Sequence, residues 1–463
     1  MLTSNPKFAY KTFKKIKAPS SLYLADDTKR SCLQLQVDLM NDFGNIVRLP
    51  HFSPCFAITH PDYVKHIFLT NQSNYIKSDK NYEGLTDIIG AGIITNNGEP
   101  WHEQRLNLAP LFQPHQLPHY FPNMISLTQE VAARWQQFAK QKTSFNLTTE
   151  MMSLTLKISA RNFLNEELDE AFIKQVIAFS QSMNNYVGKA FYFFKFLPFP
   201  TNIRLRRQKK IVDKTLLGWI QKRRALPEPP ADLLTQLLQM RNKKNEPLSD
   251  TQILAELKNF LVASYETVSH TLTWTWLNLI KNPACLEKVR HEIQTVHNSN
   301  PDHSHPEEGA ARCPVSFPHL PYTKMVIEES MRLHPPAWVI TRRALRGDEL
   351  EGYFIPAGSY LVISPYAIHR HPAYWHDPEK FIPERFTEEN KKSINRYSYL
   401  PFGAGPRTCI ASHLAIAEAQ TILAGLIPSF DLTLLPKQTL RPLALITLSI
   451  KDGLWVTATT RSQ

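Results

Sequence analysis

The chain has 463 residues and a mass of 53.3 kDa, is 43% hydrophobic and only 20% charged, and so can bury a large core and is not a disordered tail. Fifteen Gly beside 34 Pro argue against Gly-rich nucleotide loops and against barrels built on many tight turns. An excess of 12 positive charges and a pI near 9.3 favour acidic partners or anionic surfaces and leave the fold open.

The opening stretch, MLTSNPKFAYKTFKKIK, carries charge but no apolar h-region, so it is not a secretory signal. Residues 1–34 are expected to be a poorly ordered segment, with a weak transit or surface-binding segment as the alternative. Residues 45–49 and 55–59 alternate or run apolar like short strands, and residues 61–70 read as a helix. Residues 82–98 mix Gly, Asn and apolar side chains without a period and predict a loop. A short helix is predicted over 101–112, with Pro114 just beyond it, and longer helices over 123–140, 148–163 and 168–184.

Residues 191–200, FYFFKFLPFP, are aromatic and broken by Pro198 and Pro200, and a basic run, RLRRQKK, follows at 204–210. A buried core turn and an apolar lid or membrane-touching loop both fit this pairing, and both readings stay open. Residues 227–230 mark a break. Ser249 and Asp250 then cap a long helical pattern that runs to Lys281 and stops at Asn282 and Pro283. Residues 297–318 predict a surface loop, whose His297, His303 and His305 have no flanking pattern that would make them a metal site. No stretch approaches about 20 apolar residues, so no spanning helix is expected. The five cysteines, Cys32, Cys55, Cys285, Cys313 and Cys409, are odd in number and form no C-x-x-C. A disulfide framework and a Cys-rich zinc site are therefore not expected, a reducing compartment is, and a lone Cys stays available as ligand or nucleophile.

The sharpest signal is Phe402, Gly405, Arg407 and Cys409 in the spacing F-x-x-G-x-R-x-C. Four fixed letters recur by chance about 0.003 times in a chain this long. The stretch resembles the cysteine-ligand loop of the cytochrome P-450 haem-thiolate monooxygenases. The resemblance implies a mainly helical fold with small sheets and a long central helix over haem b. It also implies a single catalytic domain over residues 35–463, with the Cys409 thiolate as the axial ligand of the iron. Such a thiolate pushes electron density onto the iron and must be unprotonated and shielded. Gly403 and Gly405 would let the backbone pass close to a flat macrocycle and aim N–H groups at sulfur, Phe402 would cover the sulfur, and Arg407 would pair with a propionate. A helix over 410–426 would add its N-terminal dipole. Ala411 stands where the family usually has Gly.

Further motifs follow in the family's order. Glu329 and Arg332 form an E-x-x-R, and with Arg385 they resemble a Glu–Arg–Arg lock that pins the fold around the haem loop. Trp101 and Arg105 share a helix face and resemble a W-x-x-x-R that reaches a propionate. Arg342 or Arg343, and His369, occupy places where the family often has further propionate contacts. Ala263, Glu266 and Thr267 resemble the oxygen-activation stretch of the long helix: Thr267 would bond iron-bound oxygen, and Glu266 would relay protons. Ser264 and Val268 depart from the family pattern there, which bears on proton delivery.

The resemblance also implies an apolar pocket lined by Leu85, Ile88, Ile89, Phe260, Ala263, Ala337, Trp338 and Val339, closed by Leu445 and Ile446. That pocket suits a fatty acid, a terpenoid or a sterol-like substrate. No flavin or ferredoxin module is seen in the sequence, so a separate ferredoxin- or flavodoxin-type donor is expected, docked near Lys391, Lys392 and Arg396. A soluble, cytoplasmic monomer that binds no nucleic acid is the expectation, with peripheral membrane contact as its open variant. The alternatives are a haem-thiolate isomerase, dehydratase or peroxygenase that needs no reductase, and a non-catalytic haem- or ligand-binding protein.

Overall fold

The computed structural model describes residues 14–20, 31–51, 53–77, 79–188, 197–242, 245–298 and 320–461. Most of the expected N-terminal segment, most of the aromatic stretch at 191–200, and His303, His305 and Cys313 lie outside these residues. The chain forms two compact units, interleaved in sequence.

The first unit comprises residues 1–83, 331–380 and 387–409. Its frame is a five-stranded sheet: β1 (Ile46–Leu49), β2 (Cys55–Ile58), β3 (Tyr75–Ile76), β4 (Ile340–Ala344) and β5 (Tyr360–Ile363), in the order β1-β2-β5-β4-β3. β2 and β5 run parallel, with Cys55 opposite Tyr360, and the other pairs are antiparallel. Both faces of β2 are buried, which explains its unbroken apolar run, CFAI. Phe56, Ile58, Leu361, Ile363, Phe68 and Leu400 close one core beneath the sheet. Lys17 bridges Val47, so part of the N-terminal segment is tied to this sheet.

The second unit holds residues 84–330, 381–386 and 410–463. It is built on helices α1 (Leu117–Gln141), α2 (Leu147–Leu164), α3 (Glu170–Gly188), α4 (Pro200–Arg224), α5 (Asp250–Lys281) and α6 (Ser412–Leu426). α5 has 32 residues, about 48 Å, and starts on a full capping box made by Ser249 and Gln252. Its contacts are mainly with α2, where the Thr155 hydroxyl donates to the Tyr265 carbonyl at 3.1 Å. No helix among the described residues is long and apolar enough to cross a membrane.

Two expectations need correction. The expected loop over 82–98 is helical in its first part, as the end of the helix Asp79–Ile89. Its core-facing Leu85, Ile88 and Ile89 are buried, so packing overrides the poor local pattern. The helix after Cys409 starts at Ser412, not at residue 410. The long helix is unbroken through Ala263–Thr267.

Candidate active site

In the first unit Cys409 ends a loop whose shape is set locally. The Cys409 N–H donates to the Phe402 carbonyl at 2.8 Å, and the Gly403 N–H to Leu400 at 3.1 Å. Gly403 and Gly405 both have positive φ, 72° and 68°, which only Gly adopts readily. Gly405 has a second reason to be Gly. A Cβ there would lie 1.9 Å from the carbonyl oxygen of Phe68, in the turn His66–Thr70. Its smallness thus serves contact with another backbone, beyond any role towards a macrocycle. Cys409 itself is exposed, Phe402 is half-buried, and no described cysteine is in a disulfide.

Arg407, two residues before Cys409, is one of three cations gathered in this unit. Burial, then the Arg407 and Arg342 guanidiniums, push the Lys77 ammonium well below the usual lysine range. Burial also lowers Arg342, against the opposing pull of Tyr82. Arg342 donates to the Thr341 carbonyl at 2.9 Å, and its guanidinium lies 4.8 Å from the centre of the Phe68 ring. Three cations held this close together call for anionic charge. With an accessible sulfur at Cys409, the donor set fits a propionate-bearing, thiolate-ligated haem. Lys77 had no sequence signal, since it matches no spacing.

His369 does not join that group. Its ring is fully buried, its Nε2 accepts the Leu400 N–H at 2.7 Å, and Nδ1 lies 3.0 Å from the Arg332 carbonyl. Because Nε2 accepts, the proton sits on Nδ1 and the ring is neutral. Burial pushes its pKa down to about 3. With both nitrogens bound to backbone it braces the cysteine loop and has nothing left for a propionate, which corrects the sequence expectation. Arg332 is equally committed: its guanidinium donates to the carbonyls of His369, Pro378 and Lys380 at 2.8, 2.7 and 3.1 Å. Ala337 is exposed and Trp338 and Val339 are half-buried, all on the segment leading into β4.

In the second unit, Glu329 accepts from the Arg385 guanidinium at 3.3 Å and from the Ile382 N–H at 2.9 Å, so that part of the expected lock is present. Trp101 and Arg105 lie on the helix Gly98–Leu108 and are both half-buried.

Phe260, Ala263 and Thr267 lie on one stripe of α5. Ala263 is exposed in a helix whose neighbouring residues are otherwise mostly buried. The Thr267 hydroxyl donates to the Ala263 carbonyl at 2.9 Å, and Ser264 turns its own hydroxyl to Leu261 at 3.4 Å. Glu256 continues the stripe one turn earlier. Burial raises its carboxyl to about 7, opposed by the Ile93 N–H and by Gln104. Its Oε2 accepts the Ile93 N–H at 3.1 Å, and Asn259 accepts the Ile94 N–H at 3.0 Å. Together they clamp the loop after residues 79–89 onto α5. The spacing 256, 260, 263, 267 was the signal that could have found Glu256.

Glu266 points away from that stripe and is buried. Ser180 donates a short hydrogen bond to Oε2, while Asn184 and Thr447 donate to Oε1 at 2.7 and 2.5 Å. Buried His270, lowered by its burial against the pull of Glu266, lies nearby. Ser180, Asn184 and Thr447 were illegible in the sequence, being 82 to 181 residues away from Glu266. Ile88 is buried, and Ile446 is half-buried in the turn between strands Pro442–Ala444 and Leu448–Ile450. Among the described residues no cluster of His, Cys, Asp and Glu could hold a metal ion by itself.

A family model described as Cytochrome P450 matches residues 22–451. The chain is 29% identical to a pentalenene oxygenase of Streptomyces avermitilis, over 86% of this chain and 85% of that one. It is also 29% identical to a cytokinin hydroxylase of Arabidopsis thaliana, over 86% and 78%. With a human ultra-long-chain fatty acid omega-hydroxylase it shares 27% identity over 87% and 79%. The crystal structure of the cytochrome P450DA heme domain superposes with a TM-score of 0.83 at 19% identity, covering 98% of this chain and 99% of that one. That likeness gives the fold: mainly helical, with small sheets.

Proposed function

The chain belongs to the cytochrome P450 family, and from that premise we propose a monooxygenase that places one oxygen atom of O2 in a lipophilic substrate. The substrate class is a fatty acid, terpenoid or sterol-like molecule, and the electrons come from a separate ferredoxin- or flavodoxin-type protein. One observation carries the reading: an exposed Cys409 ends a glycine-shaped loop whose Arg407 is gathered with Lys77 and Arg342. On this reading Cys409 Sγ is the thiolate ligand of haem b, and the three cations hold its propionates. Bound there, the haem supplies O–O cleavage and attack on a substrate C–H bond.

The chain's own residues orient substrate and move protons. Phe260 and Ala263 give α5 an apolar stripe towards which a lipophilic substrate would lie. Thr267 holds its hydroxyl proton on the Ala263 carbonyl and is free to turn it outward. Ser180 and Thr447 are the hydroxyls through which a proton reaches the Glu266 carboxylate. Ser264 spends its hydroxyl on its own helix, so that departure adds no proton donor.

The enzyme is read as a cytoplasmic monomer in a single catalytic domain. Exposed Leu197, Phe199 and Ile203, followed by exposed Arg204, Arg206 and Arg207, support its touching a membrane surface peripherally. Lys392 and Arg396, exposed in the unit that holds Cys409, support docking of an acidic electron donor, although Glu388 and Glu389 beside them dilute the charge.

The test is the absorption difference between dithionite-reduced protein with and without carbon monoxide. A strongly red-shifted Soret band is expected, and Cys409→Ser should abolish it. A band at the position of histidine-ligated haem, or no haem in folded protein supplied with it, would overturn the reading. Product formed with peroxide but never with a ferredoxin and its reductase would point instead to a peroxygenase. In the Lys392→Glu/Arg396→Glu double variant, reduction by a ferredoxin should slow and lose part of its salt dependence; unchanged kinetics would remove that docking face.

A further inference from the structure

One carboxylate in the unit that holds Cys409 gathers three side-chain donors from a single stretch of chain. Asp348 lies on the short strand Asp348–Leu350. Its Oδ2 accepts from His66 Nε2 at 2.8 Å, Asn71 Nδ2 at 2.9 Å and the Tyr75 hydroxyl at 2.6 Å, while Oδ1 accepts the Glu349 N–H at 2.8 Å. Burial works to raise this carboxyl, but these donors outweigh it and leave it at about 2, so it is ionised at neutral pH. Because the donors fall at positions 66, 71 and 75, one oxygen fixes how that stretch folds back on itself.

The stretch has an uncommon shape. The Asn71 N–H bonds back five residues to the His66 carbonyl at 2.8 Å, a single turn of π-helix over His66–Thr70 of the kind that recurs at functional sites. Phe68, inside that turn, is buried and meets the cysteine loop and an arginine at once. Its carbonyl oxygen is the atom that a Cβ on Gly405 would approach to 1.9 Å, and its ring is the one 4.8 Å from the Arg342 guanidinium. Two residues past Tyr75 comes Lys77, whose ammonium feels Arg407 and Arg342. Pairing ties the same stretch to β4. Tyr75 lies opposite Ala344 and Ile76 opposite Arg343, and the Asn74 carboxamide exchanges hydrogen bonds with the Arg346 backbone at 2.8 and 3.1 Å. Asp348 thus holds the one stretch that carries both Phe68 and Lys77.

Resting on the haem reading above, we propose that Asp348 and its donors His66, Asn71 and Tyr75 are positioning residues for the haem: they seat the turn 66–70 against the cysteine loop, hold Phe68 and Lys77 beside Arg342 and Arg407, and thereby set how readily the iron takes up an electron. The physical link is charge. Cations held fast beside the propionates offset their negative charge, and net charge together with hydrogen bonding around a redox centre sets its potential. Loosening the stretch leaves that negative charge less offset and makes reduction harder. None of the four residues needs to touch the haem to do this.

The experiment is a spectroelectrochemical titration of the haem-loaded full chain. Asn71→Ala/Tyr75→Phe removes two of the three side-chain donors and no charge. Its midpoint should fall so that the ratio of reduced to oxidised haem at a fixed potential drops at least tenfold, about 59 mV for one electron. Asn45→Ala is the control. Asn45 lies beside β1, at the opposite edge of the same sheet, and accepts from His371 at 2.8 Å and from Thr59 at 3.4 Å. That variant should melt at a lower temperature and keep the wild-type midpoint. Tyr75→Phe alone, which keeps the ring, should show a smaller fall in the same direction, and it decides the matter if the double variant does not fold. A midpoint unchanged in both variants of the stretch, or an equal fall in Asn45→Ala, would overturn the proposal. The two readings fail separately. Wild-type protein with the red-shifted carbon monoxide band, whose variants keep its midpoint, removes only the positioning role. Folded wild-type protein that takes up no haem removes the haem reading and this proposal with it.

Discussion

The two units hold some of their ionisable groups in different ways. In the unit that holds Cys409, charge is pinned. Arg332 gives its guanidinium to three backbone carbonyls. Asp348 is half-buried, yet hydrogen bonds from His66, Tyr75, Asn71 and the Glu349 N–H hold its carboxyl down at about 2. In the unit that holds α5, two buried acids sit near neutrality. Burial lifts Glu256 to about 7 and Glu418 to about 8, the latter with one buried carboxyl oxygen that has no hydrogen-bond partner. Glu266 is held by side-chain hydroxyls and an amide, whose donors can rotate. The backbone carbonyls that hold Arg332 cannot be re-aimed without moving the chain, whereas the hydroxyls on Glu266 and a lone acid such as Glu418 exchange protons in place. The first arrangement suits the fixed seat of a ligand, and the second suits the traffic of protons.

If the first unit is rigid in this sense, its tightest contact should be its least forgiving. Gly405→Ala forces a methyl to 1.9 Å from the Phe68 carbonyl oxygen and demands a positive φ. Loss of several kcal/mol is expected, with little haem incorporated, by thermal unfolding and absorbance. Gly92→Ala in the other unit meets only the end of the Asn259 side chain, 2.6 Å away, and should cost less. Equal losses would break the contrast.

Titration sharpens it. Between about pH 4.5 and 8 the folded chain keeps a proton on Glu418 that the unfolded chain has released, so stability falls as pH rises through this window. His369 has the opposite sign: below about 6.5 the unfolded chain takes up a proton that the folded ring refuses down to about 3, so stability falls as pH drops. Glu418→Gln should flatten the alkaline limb and stabilise the protein at pH 8 by on the order of 2 kcal/mol. An unchanged profile of melting temperature against pH would show Glu418 to be solvated in solution. Effects on turnover rather than on stability should come from Glu266 and the donors around it. Glu266→Gln is expected to lower turnover about 10- to 100-fold, and Ser180→Ala or Thr447→Val less, each with a larger solvent isotope effect. Unaffected turnover in all three would remove these residues from proton delivery.

What the sequence disclosed was what is local. The cysteine loop was legible because its glycines, its arginine and its sulfur lie within eight residues. Both ends of α5 were legible because Ser249 and the Asn282–Pro283 pair are local stop signals. Residues 79–89 were not, since Gly84 and the polar residues around it spoil a helix that packing then restores. Lys77 could not be found, because what gathers it with Arg342 and Arg407 is the folding of segments more than 260 residues apart. His369 was misplaced for the same reason. Its two backbone partners, Arg332 and Leu400, come from either side of it, 37 and 31 residues away.

Ala263 has a use for the engineer. It is an exposed methyl on a helix whose stability rests on residues around it, so its volume can be changed without disturbing the core. Glycine there would weaken the helix by about 1 kcal/mol, while valine would narrow the space beside Thr267 at a cost of only tenths. If the proposed substrate site lies along this stripe, changing position 263 should alter the ratio of product isomers.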